Sequence, residues 1–295
     1  MAYRVKRSDK SVQAALRRIA VQEIDAGLAE LDNPDMDLHD KVHQLRKRAK
    51  RLRGLLRLVR PAFPGYAAEN EAIRDAARRL SGLRDSEGMV ETYDKLVAAA
   101  HLSGFARVRA HLVSLRDAAA ARAHVEQDLA AFRAALLDLR GRAAKWRLTE
   151  DGFAAMQDGL EKAFARARKA RAAAAEDPAV ERIHDWRKRV KDHWYHTRIL
   201  APLNPQVMDH RAQQARDLSE MLGDHHDLDV LDYYIARAAD LPGDPALWAA
   251  FRGHIAARQN VLENEAQNLG ARLFASPARD LGRRWARWWK HWKGA

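Results

Sequence analysis

Val42-His43-Gln44-Leu45-Arg46-Lys47-Arg48-Ala49-Lys50 aligns without a gap on Ile183-His184-Asp185-Trp186-Arg187-Lys188-Arg189-Val190-Lys191, 141 residues further along the chain. The same offset runs on through Arg57 and Arg198 to Pro61 and Pro202. With one residue inserted, Leu80-Ser81-Gly82-Leu83-Arg84-Asp85 lies against Leu222-Gly223-Asp224-His225-His226-Asp227. A self-match of this kind reads as the duplication of a supersecondary unit.

Each copy of the first stretch is patterned as a helix. Val42, Leu45, Ala49, Leu52, Leu56 and Val59 recur at intervals of three and four, which puts them on one side as a buried seam. His43, Arg46, Lys50, Arg53, Arg57 and Arg60 repeat that spacing about 100° further round, a line of cations roughly 25 Å long at about 1.5 Å per residue. No carboxylate lies between Lys41 and Pro61. Like charges one turn apart destabilise a helix by a few tenths of a kcal/mol per pair, so an outside anion is expected to compensate them. The predominance of arginine suits phosphate oxygens, because a planar guanidinium offers two directed hydrogen bonds. In the second copy Trp194 replaces Arg53, Asp192 replaces Arg51, and His193 and Thr197 hold the seam positions of Leu52 and Leu56. The first copy is therefore expected to dominate binding.

The rest of the chain carries the same helical signature. Apolar residues recur at three and four throughout, runs of Val, Ile, Thr and aromatics are missing, and an all-α fold follows. Breaks at Asn33-Pro34, Pro61–Gly65, Ser103-Gly104, Asp177-Pro178, Pro202–Pro205, Leu241–Pro245 and Ser276-Pro277 leave helices at 11–31, 38–60, 67–100 and 104–140. The second half reads 152–175, 179–200, 206–240 and 245–275. Two four-helix repeats, 1–143 and 144–276, are expected, followed by a basic, Trp-rich C-terminal helix at 277–295.

With 295 residues and 47% hydrophobic content the chain can bury a real core. Lysine and arginine number 52 against 40 acidic residues, a formal charge of +12, which attracts anions without choosing among nucleic acid, acidic lipid and polyphosphate. Cysteine is absent, which removes disulfides, thiolate metal sites and a cysteine nucleophile. Met1–Lys10 is followed by no apolar targeting core, and no stretch reaches the roughly 18 apolar residues of a membrane span. A soluble, cytoplasmic protein is the expectation.

In these motifs the sequence resembles the CHAD family, the conserved histidine α-helical domain. That family's pattern is a helix carrying His, then Arg three residues later, then Arg or Lys each turn, with a partner helix of the form Leu-Gly-x-x-Arg/His-Asp-x-x-Val. Leu80–Val90 matches the partner helix, and Leu222–Val230 matches it more closely. The resemblance covers nearly the whole chain and implies one CHAD domain over 1–295, with its two four-helix bundles related by a pseudo-twofold axis. It implies a basic surface or central channel that binds inorganic polyphosphate. Carried over by position, the candidate contacts are His43, Arg46, Lys50, Arg53 and Arg57, and His184, Arg187, Lys188, Lys191 and Arg198. The partner helices add Arg74, Arg78 and Arg84, and Arg216 and His226. Departures stand at Asp192 and Trp194, and at Gly82, Ser86 and Gly88. Asp85 and Asp227 are expected to orient arginines. Nothing reads as the Glu-x-Glu-x-Lys strand of the CYTH domain that often precedes CHAD, so a stand-alone member is implied, located at polyphosphate granules.

Other constellations weigh less. His184-Asp185 and His226-Asp227 suggest an HD-type metal phosphohydrolase, but their first-copy counterparts are His43-Gln44 and Arg84-Asp85, each lacking one ligand, among cations that disfavour a dication. The tail places Trp285, Trp288, Trp289 and Trp292 on one face; docking on the bundle is favoured over a membrane surface or stacking on single-stranded nucleic acid. No Walker loop, nucleophile elbow, zinc spacing or dinucleotide fingerprint is present, so no catalytic role and no cofactor are expected. Nucleic acid, bound weakly and without specificity, is the alternative partner.

Overall fold

The computed structural model describes residues 3–122, 124–238 and 241–294, with the side chains of 81–86 and 119–122 outside that description. Its elements, among the described residues, are helical: α1 (Val12–Asp32), α2 (Leu38–Leu58), α3 (Tyr66–Arg79), α4 (Ser81–Ala99), α5 (Ala106–Arg122), α6 (Val125–Ala143), α7 (Ala154–Glu176), α8 (Val180–Leu200), α9 (Pro205–Arg237), α10 (Pro245–Leu273) and α11 (Ala278–Lys293). Local chemistry sets many of the ends. Ser11 accepts from the Ala14 N–H, Asp37 from those of His39 and Asp40, and Asp244 from that of Ala246. Pro205 and Pro245 stand in first turns, where the missing N–H costs nothing. After α2 and α8, Pro61 and Pro202 turn the chain into short 3-10 segments.

Two expected helices are each divided. The 67–100 segment breaks at Leu80, and the 104–140 segment breaks between Arg122 and Val125. In both cases the chain changes packing partners there. α3 lies on α2 and α6, whereas α4 turns to α5 and α9; α6 in turn lies on α1 and α3. Periodicity reports a local face and carries no information about a change of neighbour. α9 and α10 run unbroken.

Among the described residues there are two cores, and neither follows the division at residue 143. The larger joins α1, α2, α3 and α6 to α7, α8, the start of α9 and α11. The smaller is distal: Val90, Tyr93, Leu96, Phe105, Val108 and Leu112 from the first half meet Leu228, Leu231, Ile235, Trp248, Phe251, Ile255 and Leu262 from the second. Its centre is Phe251, stacked on Tyr93 at 5.5 Å.

The seam of α2 is buried as its spacing predicts, from Val42 through Leu52 to Val59. α8 is buried on a wider arc that adds Asp192, Tyr195 and His196 to Ile183, Trp186, Val190, His193 and Thr197. Its polar seam is only partly satisfied, since Nδ1 of His193 and of His196 is buried without a hydrogen-bond partner among the described residues. His193 receives a hydrogen bond from Arg211 at 2.9 Å and packs edge-on to Phe164, while the Thr197 hydroxyl donates to the His193 carbonyl. Burial, then Arg211, pushes the His193 pKa well down, so it is a neutral core residue.

The tail docks. Trp285 and Trp292 are buried, Trp288 and Trp289 pack partly against the same core, and α11 lies on α7. Gly282 passes closely over the Glu161 side chain, which a larger residue there would have to push aside, and Lys293 ties the far end to the Arg7 and Asp9 carbonyls. Among the described residues no helix is long and apolar enough to cross a membrane.

Candidate anion-binding site

The two histidine-led helices, α2 and α8, meet at Gly54 and Tyr195, which the 141-residue offset also aligns. A Cβ on Gly54 would lie 2.8 Å from Tyr195 Cδ2 and 2.9 Å from its Cβ, so only glycine permits this approach. The Gly54 carbonyl lies 3.1 Å from His196 Nε2. Burial holds His196 down at about 3, so the ring is neutral and donates through Nε2.

Charged groups spread from this contact in three directions. Lys50 and Lys191, also matched by the offset, are near enough to repel each other. On one side Arg57 donates to Asp192 Oδ1 at 2.8 Å. On the other, Arg51 and Arg198 flank the Tyr3 ring, their guanidinium carbons 5.8 and 5.7 Å from its centroid.

The centre is strongly cationic. Burial, then Arg187 and Lys50, lowers the Lys191 ammonium to about 7, against the weaker upward pull of Asp227 and Glu220. His184 and His226 pack ring on ring, with centroids 4.1 Å apart. Burial, followed by His226, Lys188 and Arg187, lowers His184 to about 4; His226 moves in the same direction through burial and Arg187. The Nδ1 atoms of both rings and Nε of Arg187 are buried without a hydrogen-bond partner among the described residues. Such donors and acceptors are costly to leave unmet and are suited to a ligand or water. Arg187 lies across Gly223, where a Cβ would meet its guanidinium at 3.0 Å, and is steadied by Asp227 at 3.6 Å. His225 belongs elsewhere: it is buried and paired with Glu263 at 2.8 Å.

The structure gathers some of the candidate contacts and sets others aside. His184, Arg187, Lys188, Lys191 and His226 share the α8–α9 side of the centre, with Lys50 approaching from α2. His43 and Lys50 are exposed and Arg46 half-buried on the N-terminal half of α2. Arg53 donates to Asn70 at 3.0 Å beside Arg57. Burial raises the Asp192 carboxyl above its ordinary range, and Arg57 chiefly pulls it back. Arg74, Arg78 and Arg216 are exposed and ion-paired within their own helices, to Glu71 and Asp75, to Asp75, and to Glu220. The side chains of Arg84, Asp85 and Ser86 lie outside the described residues.

Lys47 and Arg51 were not singled out from the sequence, yet the structure places them beside Arg198. They stand four residues apart within the cation run, off the chosen stripe, and nothing in the sequence says that this flank of α2 also faces α8. Of the carboxylates adjoining the histidines, Asp185 is held by Arg189 at 2.9 Å and Asp227 by Arg187. Among the described residues no group of three or more His, Asp or Glu side chains is arranged to hold a metal ion.

The CHAD domain family model matches residues 8–236. Among solved structures, the CHAD domain from the plant Ricinus communis is similar, with a TM-score of 0.66 at 19% identity, over 94% of this chain and 96% of that one. No curated relative matches.

Proposed function

Since the chain belongs to the CHAD family, we propose that it binds inorganic polyphosphate, without catalysing its turnover, at the cationic centre between α2 and α8. The observation that carries this reading is the meeting of the two histidine-led helices at Gly54 and Tyr195, which brings Lys50 of one cation line near Lys191 of the other. Positions matched by the 141-residue offset face each other there, and this supports a duplication with a pseudo-twofold axis through the contact. The binding unit is then the whole domain, and the two repeats, 1–143 and 144–276, each supply one line of cations. Neutral, half-buried histidines and a lysine with a lowered pKa are groups that gain protons when a polyanion arrives. A binding role in the cytoplasm, at polyphosphate granules, is the setting this chemistry fits.

Competition tests the reading. Labelled long-chain polyphosphate is expected to bind, and its affinity should fall roughly a hundredfold or more between about 50 and 200 mM salt as counterions are released. Arg46→Ala combined with Lys50→Ala should weaken binding at least about tenfold while helical circular dichroism is unchanged, since each charge–phosphate contact contributes on the order of 1 kcal/mol. Equal competition by pyrophosphate would overturn an extended site. Displacement by DNA at equal phosphate concentration would assign the surface to nucleic acid instead.

A further inference from the structure

The two sides of the α2–α8 contact are built from matching positions but differ in charge balance. On the first side Arg57 meets Asp192, Arg189 meets Asp185, Arg74 meets Glu71 and Asp75, and Arg53 is bonded to Asn70. On the second side Arg198 takes the place of Arg57, and Arg51 takes the place of Asp192. A carboxylate that neutralises one side is thus replaced by a third cation on the other. Arg51 stands close enough to Lys47 and to Arg198 to lower the affinity of both for their protons, and Arg198 does the same to Lys47. Burial, then Arg51, Arg48 and Arg198, lowers Lys47, with Glu30 opposing; burial, then Arg51, lowers Arg198, with Tyr3, Tyr195 and Glu23 opposing.

The nearby carboxylates are largely committed elsewhere. Glu23 and Glu30 hold Arg48 at 2.9 and 2.7 Å, and Glu23 reaches Arg51 at a longer 3.3 Å. Arg51 keeps a buried Nε with no hydrogen-bond partner among the described residues. Rings shape the cluster. Tyr3 lies between the two guanidiniums, its hydroxyl donating to the Arg51 carbonyl at 2.6 Å, and Arg198 also covers Trp194 at 5.3 Å. Stacking of this kind holds a guanidinium in place without consuming its N–H donors.

We propose that Lys47, Arg51 and Arg198 form a second phosphate-binding arm, so that a bound polyphosphate chain leaves the Lys50–Lys191 centre over this side and not over the Arg57–Asp192 side. The inference rests on the polyphosphate reading and adds a direction to it. A chain too short to extend beyond the centre would not feel the arm. A long chain would gain from it, because three cations that repel one another without ligand are relieved by phosphates. The substitution of Asp192 for Arg51 thereby turns a near-symmetric groove into one with a preferred exit.

Binding of tripolyphosphate and of a long polyphosphate to the full chain, by calorimetry at two salt concentrations, tests this. Lys47→Ala with Arg198→Ala should lose about tenfold or more in affinity for the long chain and less than about threefold for tripolyphosphate. The salt slope for the long chain should fall by about one to two, one for each lost contact. Asp192→Asn should strengthen long-chain binding by freeing Arg57. If the double variant fails to fold, Lys47→Gln alone reads the same arm. Wild-type binding of the long chain with no loss in these variants overturns the arm and leaves the polyphosphate reading standing. Failure of the wild type to bind either anion overturns both.

Discussion

Lys191 is the residue at which the proposed binding and protonation would be most tightly joined. Its ammonium, held down near 7 by burial, Arg187 and Lys50, loses its proton where an ordinary lysine keeps it. From about 7 up to the ordinary lysine value, about 10.4, the unfolded chain holds a proton that the folded chain has released, so this group makes stability rise with pH across that window. Polyanion binding has the opposite sign. It favours the charged form, so affinity should fall as pH climbs from about 7 to 9, with proton uptake at neutral pH. Calorimetry in buffers of differing ionisation enthalpy measures that uptake directly. Lys191→Arg, which stays charged, should flatten the pH profile over this range; an unaltered profile would place the titrating group elsewhere. Below that range His184, lowered to about 4, should strengthen binding further as it gains its proton near the anion.

At the level of elements, the contact between α2 and α8 holds the site together. Gly54 lets Tyr195 lie on the α2 backbone, and an added methyl at 2.8 to 3.0 Å from the tyrosine cannot be accommodated without moving one helix. Gly54→Ala is expected to cost about 1 to 3 kcal/mol by overpacking, measured by urea unfolding, and to weaken polyphosphate binding as the two cation lines separate. Pairing it with Tyr195→Ala should recover part of the stability, and purely additive losses would show that the residues do not share this contact. The face of α2 was legible in its spacing. The second buried face of α8 was not, since Asp192, Tyr195 and His196 read as ordinary polar or amphipathic positions until α2 covers them.

Across the whole molecule, the two cores interlock the halves. The distal hairpin of α4 and α5 is stabilised by α9 and α10, and α11 covers the larger core from α7. Trp285→Ala is therefore expected to lower global stability by about 3 to 5 kcal/mol, read as one cooperative thermal transition at lower temperature. A separate early transition would mean that α11 is an independent appendage. Trp285 stacks on the buried His193 ring of α8, 6.1 Å between centroids, a residue outside the proposed anion contacts, so affinity measured below the transition should be preserved.

The sequence by itself determined that the chain is helical, where most helices begin and end, which face of α2 is buried, and that two similar cation-bearing helices exist. Those properties follow from spacing, caps and prolines, all of which act within a few residues. Tertiary structure alone decided that α3 and α4 part at Leu80, that each core draws on both halves, and that α2 and α8 meet at Gly54 and Tyr195. It also decided which arginines are neutralised: Arg57 by Asp192, 135 residues away, while Arg198 faces Arg51 and Lys47. The physical reason is that charge pairing and burial depend on distance in space, and a helical pattern fixes only the angle at which a side chain leaves its own axis.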